Sequence, residues 1–154
     1  MALRPIVLLG DPVLRARAAV VTVFDAALRA LAADMFDTMY AAPGRGLAAP
    51  QVGVLQRVFV MDISWKDGAP APQVFINPRI TDASYVLQAY AEACLSIPGV
   101  VSRVARPDRV LVEWQDVDGV RHSGWFDGFA AVCVQHERDH LDGILCIDLP
   151  EVPE

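Results

Sequence analysis

The 154-residue chain has no apolar run near the roughly 18 residues that span a bilayer, which excludes a transmembrane helix. Its first ten residues, MALRPIVLLG, are too short for a signal-peptide core and show no small-residue cleavage site, so the expected location is the cytoplasm. Cysteine is scarce and odd in number: Cys94, Cys133 and Cys146. Without a secretory signal, three cysteines argue against a disulfide framework. Positive charge is also short. A net charge of -6 argues against a nucleic-acid footprint. There is no G-x-G-x-x-G and no P-loop lysine, hence no phosphate cradle. Repeats, low-complexity tracts and linkers are missing too. What remains, 54% hydrophobic and 21% charged, reads as one globular domain over residues 1–154.

Residues 6–9 read as an edge strand closed by Gly10. Asp11 and Pro12 read as a cap and first helical position, opening a turn through Arg17. Asp25 opens an amphipathic helix with Leu28, Leu31, Met35, Phe36 and Met39 on one stripe and Arg29, Asp34 and Asp37 off it. Pro43-Gly44 ends it. The next stretch, GRGLAAPQVG at 44–53, is too apolar for a solvated loop. Its glycines permit positive φ or close backbone approach. Gln51 inside it needs a partner if buried, or else points at a substrate.

Residues 57–63 read as a buried strand, 66–72 as a loop, and 74–76 as a strand before an Asn77-Pro78 turn. Residues 80–88 read as a weaker strand and Ile97-Pro98-Gly99 as a turn. In 109–115, Val110, Val112 and Trp114 share one face; 116–119 turns a hairpin and 120–126 returns. Residues 144–149 read as a last strand and 150–154 as a tail. Hairpins rather than β-α-β alternation predict the α+β class.

Residues 127–140, DGFAAVCVQHERDH, carry the chemistry. The apolar run 129–134 reads as a buried helix with Asp127 at its N-cap. It leads into an H-E-x-x-H pattern, His136 to His140. Each helical residue turns by roughly 100°, so histidines four apart lie about 40° apart on one face. Both imidazoles can share one metal while Glu137 reaches a water there. The apolar, water-poor helix upstream argues against a chance match. A catalytic site of this kind takes a third protein ligand. Cys133 shares the helix and Cys146 sits in an apolar run, so both read as small core residues. Cys94 lies in a polar stretch between Glu92 and Ser96. Spacing alone leaves the choice of ligand open.

Three stretches together resemble the peptide deformylases. GRGLAAPQVG resembles that family's G-x-G-L-A-A-x-Q motif, EACLS its E-G-C-L-S, and QHERDH its Q-H-E-x-D-H. They stand in the family's order, and the likeness runs from about Ile6 to Leu149. The resemblance implies antiparallel β-sheets packed around a central C-terminal helix that carries the HExxH. It implies that Cys94, His136 and His140 bind one divalent metal, iron(II) as the native ion, with zinc(II), nickel(II) or cobalt(II) able to substitute. Glu137 would move the proton from water to the leaving amine. Gln51 and the Leu95 backbone N–H would stabilise the oxyanion, and Gly46 would lie where the substrate approaches. Arg45, Tyr90, Phe129 and Val132 would form the methionine pocket. The implied substrate is the formylated N-terminus of a nascent polypeptide, and the products are formate and a free amine. Transient proximity to the ribosome follows, with neither nucleic acid nor membrane as a direct partner.

The chain departs from the family at several positions. Ala93 stands where the motif has glycine; if the backbone there needs φ > 0, alanine costs about 1 kcal/mol. Arg45 stands where an aliphatic residue is usual. The basic C-terminal helix associated with ribosome docking is missing after Leu149. These departures suggest a second, divergent copy. Glu92 and Asp139 read as groups behind the ligands, with Asp139 orienting a histidine or pairing with Arg106. Alternative readings are a hydrolase of another N-acyl amine and a module that binds peptide without turnover; the retained Glu137 argues against the latter. An endopeptidase is a weaker alternative.

Overall fold

A computed structural model of the protein describes residues 2–153; Met1 and Glu154, the outermost residues of the expected domain and tail, lie outside the described residues. Among the described residues are two α-helices, α1 (Ala26–Ala41) and α2 (Gly128–Leu141). The strands are β1 (Gly46–Ala48), β2 (Val58–Met61), β3 (Gln73–Ala83), β4 (Leu87–Cys94), β5 (Ile97–Pro107), β6 (Arg109–Gln115) and β7 (Arg121–Asp127). They form a five-stranded antiparallel sheet in the order β1-β2-β3-β6-β7 and a separate β4-β5 hairpin. The α+β expectation is met.

The all-apolar strand β2 explains the layering. All four of its residues are buried, and alternate side chains point to opposite faces. Val58 and Val60 join Leu28, Leu31, Met35 and Met39 of α1. Phe59 and Met61 join Phe75, Val110, Val112 and the α2 residues Ala131 and Val134 on the other side. The sheet is therefore covered by α1 on one face and α2 on the other. Phe59 and Phe75 stack with ring centres 4.6 Å apart. Truncating either to alanine costs about 3–5 kcal/mol.

Helix α1 begins as predicted: the Asp25 side chain accepts the Leu28 N–H at 3.0 Å. Its stripe is buried apart from Phe36, which is half-buried. Asp34, expected off the stripe, is buried instead, because it accepts the Ala2 N–H at 2.8 Å and Arg4 Nε at 3.0 Å.

Helix α2 follows β7 without a loop. Gly128 turns the corner at φ +58, and its N–H donates to the Asp108 carbonyl at 3.1 Å. Asp127 occupies the N-cap position, but its side chain makes no capping bond. The helix packs on β1, β2 and β7 of the large sheet and on β5 of the hairpin. Wedged between the sheets, it is buried from Ala131 to Leu141 except at Arg138.

Elsewhere the structure departs from the expected elements. Residues 6–9 form no strand; Val7 and Leu9 N–H groups donate to the Gln51 and Ser96 carbonyls, so the segment straps the site from outside the ladders. The early helical turn is a 3-10 turn at Pro12–Arg15, stopping short of Arg17. Residues 66–72 include part of another, Trp65–Asp67. Asn77-Pro78 is no turn: β3 runs through it with a bulge between Ile76 and Arg79, where proline's missing donor is harmless. Asn77 holds the bulge at φ 52 by bonding Val21 in both directions. The expected weak strand at 80–88 is split between β3 and β4. Ile97-Pro98-Gly99 opens β5, a strand the reading missed. Residues 144–149 hold a 3-10 turn, Cys146–Asp148, where the Asp148 carboxylate accepts the Leu145 N–H. The tail is pinned: Glu151 bridges Val104, and Val152 N–H donates to the Arg103 carbonyl.

Candidate metal centre

In a buried helix every polar side chain needs a partner, so those of α2 can be accounted for one by one. Gln135 donates to the Pro107 and Ala131 carbonyls at 3.0 Å. His136 Nδ1 lies 2.8 Å from Glu92 Oε1. Asp139 accepts Arg106 Nη1 at 2.9 Å. Three atoms of the helix are left over: Glu137 Oε1, His140 Nδ1 and, on the one outward-facing residue of this stretch, Arg138 Nε are buried without a hydrogen-bond partner.

The hairpin delivers a thiol to the same place. Cys94 ends β4, and the register shifts between Ala93 and Cys94, a bulge that re-aims the side chain. Its Sγ lies 3.4 Å from His140 Nε2. Single donor atoms of Cys94, His136 and His140 all lie within 4.8 Å of one another. Glu92, His136 and Cys146 also cluster this closely. Glu92, however, is already committed, its two oxygens accepting Arg106 Nη2 at 2.9 Å and Nε at 2.6 Å. The first trio is therefore the better ligand set.

Arg106 is buried between Glu92 and Asp139. Burial opposes its charge, but the two carboxylates outweigh that and push its pKa up. Glu92 is held low: burial opposes ionisation, and the bonds from His136 and Arg106 prevail. The chain Arg106–Glu92–His136 thus fixes the ring so that its Nε2 faces away from Glu92. Asp139 pairs with Arg106, as one of its two expected readings had it.

The electrostatics of the trio fit a divalent cation. Burial disfavours charge on His136, yet Cys94, Glu137 and Glu92 raise its pKa well above the ordinary value. The chain alone thus collects acidic groups around one imidazolium, and a metal ion can take the place of that proton. His140 stays neutral, its pKa lowered to about 3 by burial and by His136. One sulfur and two imidazoles form a donor set suited to a divalent transition-metal ion.

Glu137 stands beside this set, pushed up to about 7, chiefly by burial. A carboxyl at that value exchanges protons readily near neutral pH. Gly46 makes room for it: a Cβ on Gly46 would lie 2.6 Å from Glu137 Oε2. Gln51 comes from the 3-10 turn Ala49–Val52 that follows β1. Its Oε1 accepts the Ala48 N–H at 3.0 Å, and its Nε2 lies 3.1 Å from Ser96 Oγ and 3.5 Å from Cys94 Sγ. One end of Gln51 therefore bonds backbone, as one expected reading had it, while the other end lies at the cavity wall beside Cys94.

These groups line a cavity of about 300 Å³. Arg45, Gly46, Gln51, Cys94, Leu95, Phe129, Val132, His136 and Glu137 are on its wall. Tyr90 is not; it stands behind Phe129, ring centres 6.0 Å apart. Cys133 reaches the wall while also joining the core, and burial raises its thiol pKa. Ala93 carries no strain, since Asn77 is the one non-glycine residue with positive φ among the described residues. Lys66, on the cavity wall, was missed because no spacing pattern links the Trp65–Asp67 turn to the cavity; the role of Ser96 in holding Gln51 was missed because the two lie in separate elements. A larger cavity of about 680 Å³ is lined by Arg17, Arg57, Arg79 and Arg121 but has no thiol and none of the trio. Chemistry rather than size marks the site.

Comparison with known proteins agrees with this geometry. The family model for polypeptide deformylase matches residues 3–151. The peptide deformylase of Zymomonas mobilis is 49% identical over 152 residues, covering 96% of this chain and 86% of that one. That of Brucella suis is 50% identical over 149 residues, covering 96% and 85%. The crystal structure of the peptide deformylase from Thermotoga maritima superposes with a TM-score of 0.92 at 41% identity, covering 97% of this chain and 99% of that one. The enzyme from Synechococcus elongatus in complex with actinonin gives 0.91 at 44%, covering 95% and 79%.

Proposed function

The chain belongs to the peptide deformylase family, and on that premise we propose how its residues remove the formyl group from the N-terminal formylmethionine of nascent polypeptides. The enzyme is a metal-dependent hydrolase. Cys94, His136 and His140 hold one divalent ion; iron(II) is the native choice, and zinc(II), nickel(II) or cobalt(II) can replace it. When bound, the metal supplies Lewis acidity at the formyl carbonyl and makes a neighbouring water more acidic.

The protein's own groups do the rest. Glu137 takes the proton of the attacking water as its oxygen bonds to the formyl carbon. The C–N bond then breaks, and Glu137 delivers that proton to the leaving nitrogen. Formate and a free amino terminus result. Gln51 Nε2 and the Leu95 N–H donate to the developing oxyanion, and Ser96 and Ala48 hold the Gln51 amide for that role. Gly46 leaves space for Glu137 and for the substrate backbone. Phe129 and Val132, with Tyr90 behind, receive the methionine side chain, with Arg45 at the rim. The whole chain acts as one catalytic domain. It works in the cytoplasm, near the ribosomes that produce its substrate, without contacting nucleic acid or membrane.

One observation carries this reading: a buried carboxyl with an unpartnered oxygen stands beside one thiol and two imidazoles. Iron-loaded protein, kept anaerobic and reduced, should release formate from formyl-Met-Ala-Ser. In Glu137→Gln the rate should fall by about 10²–10⁴ with metal content unchanged. Metal bound at one per chain with no turnover would identify a peptide-binding module instead. Turnover confined to another N-acyl amine would identify a different hydrolase.

A further inference from the structure

The rim of the cavity carries two cations that no carboxylate among the described residues pairs with. Arg45 lines it with the guanidinium carbon 5.6 Å from the Phe129 ring centre, and its Nε is buried without a hydrogen-bond partner. Lys66 lines the same cavity, its Nζ 5.7 Å from the Trp65 ring centre. Among the described residues no carboxylate lies within 4.0 Å of either. Of the acids nearby, Glu92 and Asp139 hold Arg106, and Asp62 accepts from Tyr40 Oη and the Ala71 N–H; Glu137 lines the same cavity beside the metal-ligand set and forms no ion pair with either cation. A chain of net charge -6 thus places unpaired positive charge where its substrate enters. A buried guanidinium nitrogen left without an acceptor is costly unless a ligand supplies one.

The fold also indicates which part of a substrate meets these groups. β1 is an edge of the five-stranded sheet, and Gly44, Arg45 and Gly46 border the cavity along that edge. An extended peptide can lie against such an edge. Alternate side chains of an extended peptide share a face, roughly 7 Å apart. If the first side chain enters between Phe129 and Val132, the third lies on the same side, at the rim. Resting on the deformylase reading above, we propose that Arg45, assisted by Lys66, selects formylated peptides with a carboxylate side chain at the third position.

The test compares formyl-Met-Ala-Glu, formyl-Met-Ala-Ala, formyl-Met-Ala-Lys and formyl-Met-Glu-Ala on the metal-loaded enzyme. Glutamate at position three should raise kcat/KM about tenfold over alanine, the value of one charge-assisted hydrogen bond. Lysine there should lower it, and glutamate at position two should gain less. In Arg45→Leu the Glu/Ala ratio should fall to about 1, whatever happens to the absolute rate. Arg45→Lys should restore part of it, and Arg45→Glu should invert the Glu/Lys preference. Inhibition by the products Met-Ala-Glu and Met-Ala-Ala gives the same ratio without turnover. A wild-type Glu/Ala ratio below about 2, or a ratio unchanged in Arg45→Leu, overturns the proposal. Either result can occur with formyl-Met-Ala-Ala still turned over, so it is distinct from a failure of the deformylase reading.

Discussion

Replacing Gly46 with alanine tests whether the position of the Glu137 carboxylate limits the rate. A methyl group there would lie 2.6 Å from Glu137 Oε2, 3.0 Å from Cδ and 3.1 Å from Cγ. Ordinary contact begins near 3.4 Å, so the carboxyl oxygen must retreat by about 0.8 Å. The displaced atom ends a side chain, so the strain on the fold is small. Gly46 does not have a positive φ, so the backbone adds none. Catalysis is less forgiving: a misplacement near 1 Å costs about 10²-fold, or roughly 2.7 kcal/mol of barrier. The expected result in Gly46→Ala is a kcat lower by about two orders of magnitude. Metal content should be unchanged and Tm should move by no more than a few degrees. Steady-state kinetics on formyl-Met-Ala-Ser with metal analysis and calorimetry would decide it. A kcat within threefold of wild type would refute the claim that Gly46 sets the carboxylate's position.

Two further perturbations probe the supports. Arg106→Met removes the cation that holds Glu92 and Asp139, leaving Asp139 without that hydrogen bond and Glu92 with only its contact to His136. Breaking such a network costs about 3–5 kcal/mol, and Tm should fall by about 10 °C or more in thermal unfolding; an unchanged Tm would mean the two acids find other partners. Tyr40 Oη donates to Asp62 at 2.6 Å, and burial followed by this bond raises its pKa to about 12. An unfolded tyrosine titrates near 10, so Tyr40 contributes stability in full below about pH 10 and loses it as the pH climbs towards 12. Denaturant midpoints across that window should decline more steeply in wild type than in Tyr40→Phe; parallel declines would contradict this.

How much of this was legible in advance depended on whether the signal was local. The α1 stripe and the HExxH depend on spacing within one helix, and both emerged where expected. The strand β5 did not, because its first residues, Ile97-Pro98-Gly99, look like a turn; Gly99 takes φ +78 and Pro98 is exposed, so the hairpin tolerates both. Asn77-Pro78 misled in the same way, because a bulge and a turn use the same residues. The run at 144–149 is apolar enough for a strand, but Asp148 folds it back onto Leu145 N–H. The thiol was the hardest element of the site to find. Forty-one residues of sequence lie between Cys94 and His136, and only the packing of the hairpin against α2 closes that gap. The family resemblance supplied the choice of cysteine that spacing alone could not.

The central claim is that a sulfur from β4 and two imidazoles from α2 share one cation. Metal content of purified Cys94→Ser, measured beside wild type by elemental analysis after identical loading and desalting, tests it most directly. The account predicts one metal per chain in wild type and a large loss, or exchange for a different ion, in the variant. Full occupancy by the same metal in Cys94→Ser would remove Cys94 from the ligand set and contradict the account.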